Sequence, residues 1–167
     1  MMFMTKMLDK NSDKLIAVIG GGPAGMMAAA TAAELGADVV LFEKNKQLGK
    51  KLRITGKGRC NVTNNCQAQE FMANVPANGR FIWSALDRFS PADTINMFEE
   101  LGVPLKTERG RRVFPVSDKA GDIAGAMVKK CQRAGVHIVN EKVFGLAAEG
   151  NHKWKVTLLV TTDIICQ

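Results

Sequence analysis

Tyrosine is absent from this sequence, and histidine occurs only at His137 and His152. No tyrosine can therefore act as a general acid or a nucleophile. The two histidines stand fifteen positions apart, so neither an HxxxH nor an HExxH zinc pair exists. A Ser-His-Asp hydrolase would have to use one of them, and no G-x-S-x-G elbow accompanies them. Cysteine is sparse too. Cys60, Cys66, Cys131 and Cys166 form no C-x-x-C pair, and the five residues between the first two suit neither a zinc nor a redox motif. No metal site is expected. The thiols suggest a reducing compartment without structural disulfides, hence a cytoplasmic location. No run reaches the roughly 18 apolar residues of a membrane span, so no membrane is expected as a partner. Residues 1–14 carry Lys6, Asp9, Lys10, Asp13 and Lys14 and no apolar core. They read as a disordered leader rather than a signal peptide.

What remains is ordinary globular material. Of 167 residues, 46% are hydrophobic and 23% charged, enough for one domain with a real core. The net charge is +7, from 23 basic and 16 acidic residues. The basic residues gather in two stretches: Lys44, Lys46, Lys50, Lys51, Arg53, Lys57 and Arg59, then Arg109, Arg111 and Arg112. Such a balance suits nucleic acid, an acidic membrane surface or a phosphorylated ligand. Residues 44–59 hold no aromatic side chain for base stacking, so nucleic acid is not the expected partner.

The chain opens its structure with an apolar run, LIAVI at 15–19, that stops at three glycines and reads as a buried parallel strand. Pro23 then sits where a first helical residue needs no N–H. Residues 26–35 are strong helix formers, and Gly36 supplies a left-handed stop. DVVLF at 38–42 is a second strand, completing a right-handed βαβ unit. Residues 44–78 show little periodicity and read as a long functional or disordered loop. Phe81, Ile82, Ala85, Leu86 and Phe89 recur at helical spacing. Ser90, Pro91 and Asp93 start another helix, whose apolar face is Ile95, Phe98 and Leu101 and which Gly102 ends. Residues 103–106 and 112–114 can pair as short strands. Ser117 is expected to cap a helix over 118–134, and VHIVN at 136–140 is a third strand. Residues 143–147 and 154–160 flank a turn at Glu149, Gly150 and Asn151 and read as an antiparallel hairpin. The expected domain spans 15–160, with a mainly helical insertion at about 78–134.

Gly20, Gly21, Gly22, Pro23, Ala24 and Gly25 match G-x-G-x-x-G between that strand and that helix, and Glu43 follows 23 residues after Gly20. Each residue type has a task there. Gly20 permits the tight turn, Gly22 lets a pyrophosphate approach the backbone, and Gly25 lets helix and strand pack closely. The helix N-terminus offers unpaired N–H groups and partial positive charge to phosphates. Glu43 accepts hydrogen bonds from an adenosine ribose and repels a 2′-phosphate. The motif alone does not separate FAD from NAD. The stretch from Gly49 to Asn64 adds closely spaced glycines, hydroxyls, amides and cations suited to an extended diphosphate.

Three segments carry a family resemblance: IGGGPAGMMAA at 19–29, TGKGRCNVTN at 55–64 and GRRVFPVSDKA at 110–120. Through them the chain resembles the HI0933-like (YhiN) flavoproteins, NAD(P)/FAD-dependent oxidoreductases, over about 14–160. The resemblance implies an α/β fold of the two-dinucleotide-binding-domain type. It comprises a Rossmann-type FAD-binding parallel sheet with flanking helices and an antiparallel β-hairpin crossover. It implies FAD as cofactor, with NAD(P)H as electron donor in the full-length family. Gly20, Gly22, Pro23, Ala24 and Gly25 would hold the pyrophosphate, and Glu43, with Lys44 beside it, the adenosine ribose. Lys51, Thr55, Gly56, Gly58, Arg59, Cys60 and Asn61 would line the ribityl and flavin side. The Val143 backbone would touch the adenine. The resemblance assigns no role to residues 112–119.

The sequence also departs from the family. Lys57 stands where the family more often has a third glycine. The later T-G-G-like turn, the substrate domain and the C-terminal flavin-contacting segment are missing, so residues 161–167 read as a truncated tail. Weak or absent flavin binding by this chain alone is the consequence expected. No residue marks itself as catalytic. Cys60 follows Lys57 and Arg59, which could lower its pKa, but a buried structural thiol is the commoner case. The substrate is an unidentified small molecule, for which an unsaturated carbonyl compound is a suitable acceptor. A non-catalytic adenine-dinucleotide module and a basic nucleic-acid binder are the other readings. The sequence leaves the oligomeric state undetermined.

Overall fold

A computed structural model describes residues 15–150, 154–158 and 163–166. The expected leader, Asn151 of the expected turn, His152, and residues 159–162 and 167 lie outside the described residues. In chain order the first elements are β1 (Leu15–Ile19), α1 (Pro23–Glu34), β2 (Asp38–Phe42), a 3-10 stretch (Leu52–Gly58) and β3 (Thr63–Asn64). Then come α2 (Ala68–Ala73), α3 (Gly79–Arg88), α4 (Pro91–Glu100), β4 (Leu105–Glu108) and β5 (Arg112–Pro115). The last are α5 (Ala120–Arg133), β6 (His137–Val139), β7 (Val143–Ala148), β8 (Trp154–Leu158) and β9 (Asp163–Cys166). The chain divides into two compact units, one from the residues up to Lys50 and from Met127 onward, the other Lys51–Ala126.

The first unit is the α/β part. Its parallel sheet has the order β1-β2-β6, with Leu15 opposite Asp38 and Val40 opposite His137. β2 is central, and Val39, Val40, Leu41 and Phe42 are all buried. β1 was expected to be buried as well, but Ile16 and Ile19 are exposed. The reason is position: β1 ends the order of this sheet among the described residues, so only one of its flanks is paired in it. Alternation along β2 sends Val40 and Phe42 to one face, where Val156 and Leu158 of β8 pack on them. Val39 and Leu41 point to the other face, toward α1, whose buried residues Met26, Ala29 and Ala30 are mostly small. The α1 terminus is a Schellman cap: Gly36 N–H donates to Ala33 O, Ala37 N–H to Ala32 O, and Gly36 has φ +90°. The expected hairpin forms as β7 and β8 and gains a third antiparallel strand, β9, from residues read as tail.

The second unit holds the antiparallel sheet β3-β5-β4 and three helices. β5 is central, and Val113, Phe114 and Pro115 are buried. α4 opens with a reciprocal capping box. The Ser90 hydroxyl accepts from Asp93 N–H at 3.2 Å, and the Asp93 carboxylate accepts from Ser90 N–H at 2.8 Å. Phe98 buries the face of α4 read from the sequence. Ser117 does not cap α5, which begins only at Ala120. Its hydroxyl accepts from Lys119 N–H instead and donates to Asp122. Residues 44–78, read as one long loop, contain the 3-10 stretch, β3 and α2.

Candidate functional site

In the first unit, the glycine turn is built around Glu43. Glu43 directly follows β2, and its N–H donates to Val139 O at 2.9 Å. One carboxylate oxygen accepts from Gly21 N–H at 2.8 Å. The other accepts from the backbone N–H of Asn45 at 2.8 Å and from its side-chain amide. Burial alone would raise this carboxyl's pKa. The hydrogen bonds from Asn45 and Gly21 and the charge of Lys44 outweigh it, and the net direction is down. Glu43 is therefore ionised at neutral pH. A carboxylate has about four lone-pair sites, so acceptor capacity remains for a ribose hydroxyl.

The glycines divide their tasks in an informative way. Gly20 has φ +104°, and its N–H donates to Phe42 O at 2.8 Å, closing the turn. A Cβ on Gly25 would lie 1.9 Å from Gly20 O, so α1 crosses the backbone just after β1 too closely for any side chain there. A Cβ on Gly21 would lie 2.8 Å from the buried Leu48 and 3.1 Å from Glu43. A Cβ on Gly22 would meet nothing within 4 Å. Gly22 is also the N-cap, with φ −77° and ψ 177°, a conformation open to any residue. Nothing in the fold demands glycine there, whereas a ligand lying on the turn would. Pro23 is the first residue of α1, and the N–H groups of Ala24 and Gly25 belong to the first turn, which has no intrahelical acceptors for them.

In the second unit, the segment at 55–61 is strongly coiled. Gly56, Lys57, Gly58 and Cys60 all have positive φ. Two of these carry side chains, and each left-handed non-glycine residue costs about 1–2 kcal/mol. The N–H groups of Arg59 and Cys60 donate to Gly56 O (3.2 Å) and Thr55 O (3.1 Å). Those two are committed within the loop, so any backbone contact with a ligand falls to its other residues. The Thr55 hydroxyl donates to Leu52 O at 2.6 Å. The Asn61 amide, with its nitrogen turned toward them, donates to Thr63 O (3.0 Å) and Val113 O (3.3 Å). The Arg59 guanidinium reaches Asp118 and Glu108 and lies over the Phe114 ring, 4.3 Å from its centroid. The second and third sequence signatures are thus one structure. Val62 and Asn65 donate to Val113 O and Arg111 O, and β3 pairs with β5.

The HI0933-like protein Rossmann domain matches residues 14–167. The chain belongs to the HI0933-like family. A 3-dehydro-bile acid delta(4,6)-reductase of Clostridium scindens is 33% identical over 140 residues, 81% of this chain and 34% of that protein. A ribosomal RNA dihydrouridine synthase of Escherichia coli is 34% identical over 119 residues, 71% of this chain and 29% of that protein. The HI0933-like chain thus spans about a third of the length of these curated relatives. Among solved structures, Thermovibrio ammonificans THI4 superposes with a TM-score of 0.59 at 16% identity, over 98% of this chain and 55% of that one. CabE, an aromatic hydroxylase from angucycline biosynthesis, gives 0.56 at 17% identity, over 93% and 29%. These two likenesses show a shared fold.

The remaining candidates of the HI0933-like chain separate by environment. Lys44 and Lys51 are exposed. Val143 opens β7, with its side chain packed beside Val40, Phe42, Val156 and Leu158. Cys60 is 1% exposed, and burial raises its pKa despite a hydrogen bond with Thr55. Arg59 is held by two carboxylates, so neither burial nor this cation favours a thiolate at Cys60. Burial, then the charge of Glu70, raises Cys66 in the same direction, with Arg111 opposing. His137 is exposed at the start of β6. No cluster of three potential metal ligands occurs among the described residues, and no helix there is long and apolar enough to cross a membrane. Gly21, named only as a motif position, and Asn45 and Leu48, unread in the sequence, complete the Glu43 corner. An Asn two residues after a carboxylate, able to form a local turn, was the available signal.

Proposed function

We propose that this chain is the N-terminal FAD-binding part of a flavin-dependent oxidoreductase. The observation that carries the reading is Gly22, a glycine whose backbone angles and surroundings would accept a side chain, at the N-terminus of α1 beside an ionised Glu43. A pyrophosphate on the turn accounts for it. Glu43 would take the ribose hydroxyls and disfavour a 2′-phosphate. Lys51, Thr55, Gly56, Gly58 and Asn61 would serve the ribityl and flavin side, and the Val143 backbone the adenine. FAD, when bound, supplies hydride and electron transfer; the protein orients it and excludes water. NAD(P)H is the proposed donor.

The acceptor is proposed to be a double bond activated by a conjugated carbonyl. The names of both relatives describe reduction or a dihydro product. A small molecule is the favoured form. A uracil ring in RNA has the same chemistry and belongs in the same test, since one relative is named for ribosomal RNA. The alternative reading is a non-catalytic adenine-dinucleotide-binding module, which the same Glu43 corner and glycine turn would serve.

The test is a titration of the 167-residue chain with FAD, followed by flavin absorbance and fluorescence, with ADP as competitor. A saturable shift reversed by ADP supports the reading. A folded chain that binds neither FAD nor ADP overturns it for this chain.

A further inference from the structure

The third signature, at 110–120, has no role in the proposed cofactor site, and the Arg59 side chain supplies one. Its Nε donates to Asp118 Oδ1 at 2.8 Å, and its Nη2 to the same oxygen at 2.6 Å and to Glu108 Oε1 at 2.5 Å. Lys106 Nζ closes the group at 2.8 Å from Asp118 Oδ2. Two cations face two anions, so the cluster sums to no net charge and offers no uncompensated positive charge to a phosphate. The Phe114 ring covers one face of the guanidinium. Asp118 itself has φ +56°, a left-handed position that Asp tolerates better than most residues. Arg59 lies between the left-handed Gly58 and Cys60, in a loop that its own hydrogen bonds alone do not explain. Backbone of that kind persists only where its surroundings over-determine it.

We infer that Asp118, assisted by Glu108 and Phe114, is a positioning residue that grips Arg59 and thereby holds the 55–61 backbone in the form that receives the cofactor. Arg59 is then a latch and not a phosphate ligand. The inference rests on the FAD reading for the last step only. The latch itself exists without cofactor.

The test therefore has two arms. Amide hydrogen exchange on the cofactor-free chain reads the loop. Asp118→Asn and Arg59→Met should each lower protection at 56–61 by roughly tenfold, with β1, α1 and β2 unchanged. The double variant should be no worse than either single one. Glu108→Gln should give a smaller loss and serves in place of Asp118→Asn if circular dichroism shows that variant unfolded. The second arm is FAD affinity, which should fall in parallel with protection. Arg59→Lys discriminates between the readings. An ammonium cannot bridge two carboxylates while lying flat on a ring. The latch predicts that Arg59→Lys behaves like Arg59→Met, whereas a phosphate ligand would largely survive as lysine. Unchanged loop protection in Asp118→Asn or its substitute overturns the inference. So does lost protection with unchanged FAD affinity. If the wild-type chain binds no FAD, the exchange arm still decides the latch, while the FAD reading fails separately.

Discussion

Two substitutions in one turn should have opposite consequences, and the contrast tests the cofactor site directly. Gly25→Ala would place a methyl carbon 1.9 Å from Gly20 O. Such a carbon and oxygen rest at about 3.3 Å or more, so α1 would have to move by over about 1 Å against β1. Both elements are main chain and cannot rotate aside. The expected cost is at the upper end of overpacking, about 3 kcal/mol, seen as a lower denaturant midpoint. Gly22→Ala meets open space at φ −77°. Alanine reduces the freedom of the unfolded chain, a gain of about 0.4–1 kcal/mol. It is also a poorer N-cap than glycine by a comparable amount. The two effects nearly cancel, and the midpoint should stay within error. FAD affinity should nevertheless fall by about five- to a hundredfold, because the methyl occupies the pyrophosphate's approach. Urea unfolding and FAD titration on the same preparations measure both. A Gly22→Ala chain that binds FAD like wild type would refute the placement of the pyrophosphate. A Gly25→Ala chain of wild-type stability would refute the close crossing.

Two further outcomes follow from the same geometry. Glu43→Gln should cost about 0.5–1.5 kcal/mol near pH 7, since an amide cannot accept on both sides as the carboxylate does from Gly21 and Asn45, and water partly screens this half-buried corner. The folded pKa of Glu43 lies below its ordinary 4.5. Its contribution is therefore complete above that value and is lost as pH falls through the folded pKa, so wild type and variant should converge in acid. A gap that persists after acidification would show that the charge is not what matters. Lys57→Gly removes a left-handed residue with φ +57°. The strain relieved exceeds the added chain entropy by about 0.5–1 kcal/mol, and Tm should rise by about 2 °C. A lower Tm would mean that the lysine side chain holds the loop.

The legible parts of this chain were those punctuated locally. Gly36 could be read as a left-handed helix stop because no long-range contact is needed to favour glycine there, and the Schellman cap is local. The same holds for Ser90, Pro91 and Asp93 at the start of α4. The illegible part was 44–78. Its order comes from Val62 and Asn65 donating to the carbonyls of Val113 and Arg111, and no periodicity within the segment announces a partner so distant in sequence. Burial misled in a related way. β1 and β2 look alike as apolar runs, yet only β2 has a neighbour on each side in the parallel sheet.

The sequence by itself determined the βαβ unit, the glycine turn and the carboxylate just past its second strand. These depend on backbone freedom, charge and spacing, which are properties of residue order. Tertiary structure alone decided which glycines the fold requires and which it leaves open, because that depends on what a Cβ would touch. It also decided the fate of Arg59. A cation in a glycine-rich loop has the same composition whether it faces a phosphate or is held by Asp118, Glu108 and Phe114. Only the fold brings those carboxylates to it.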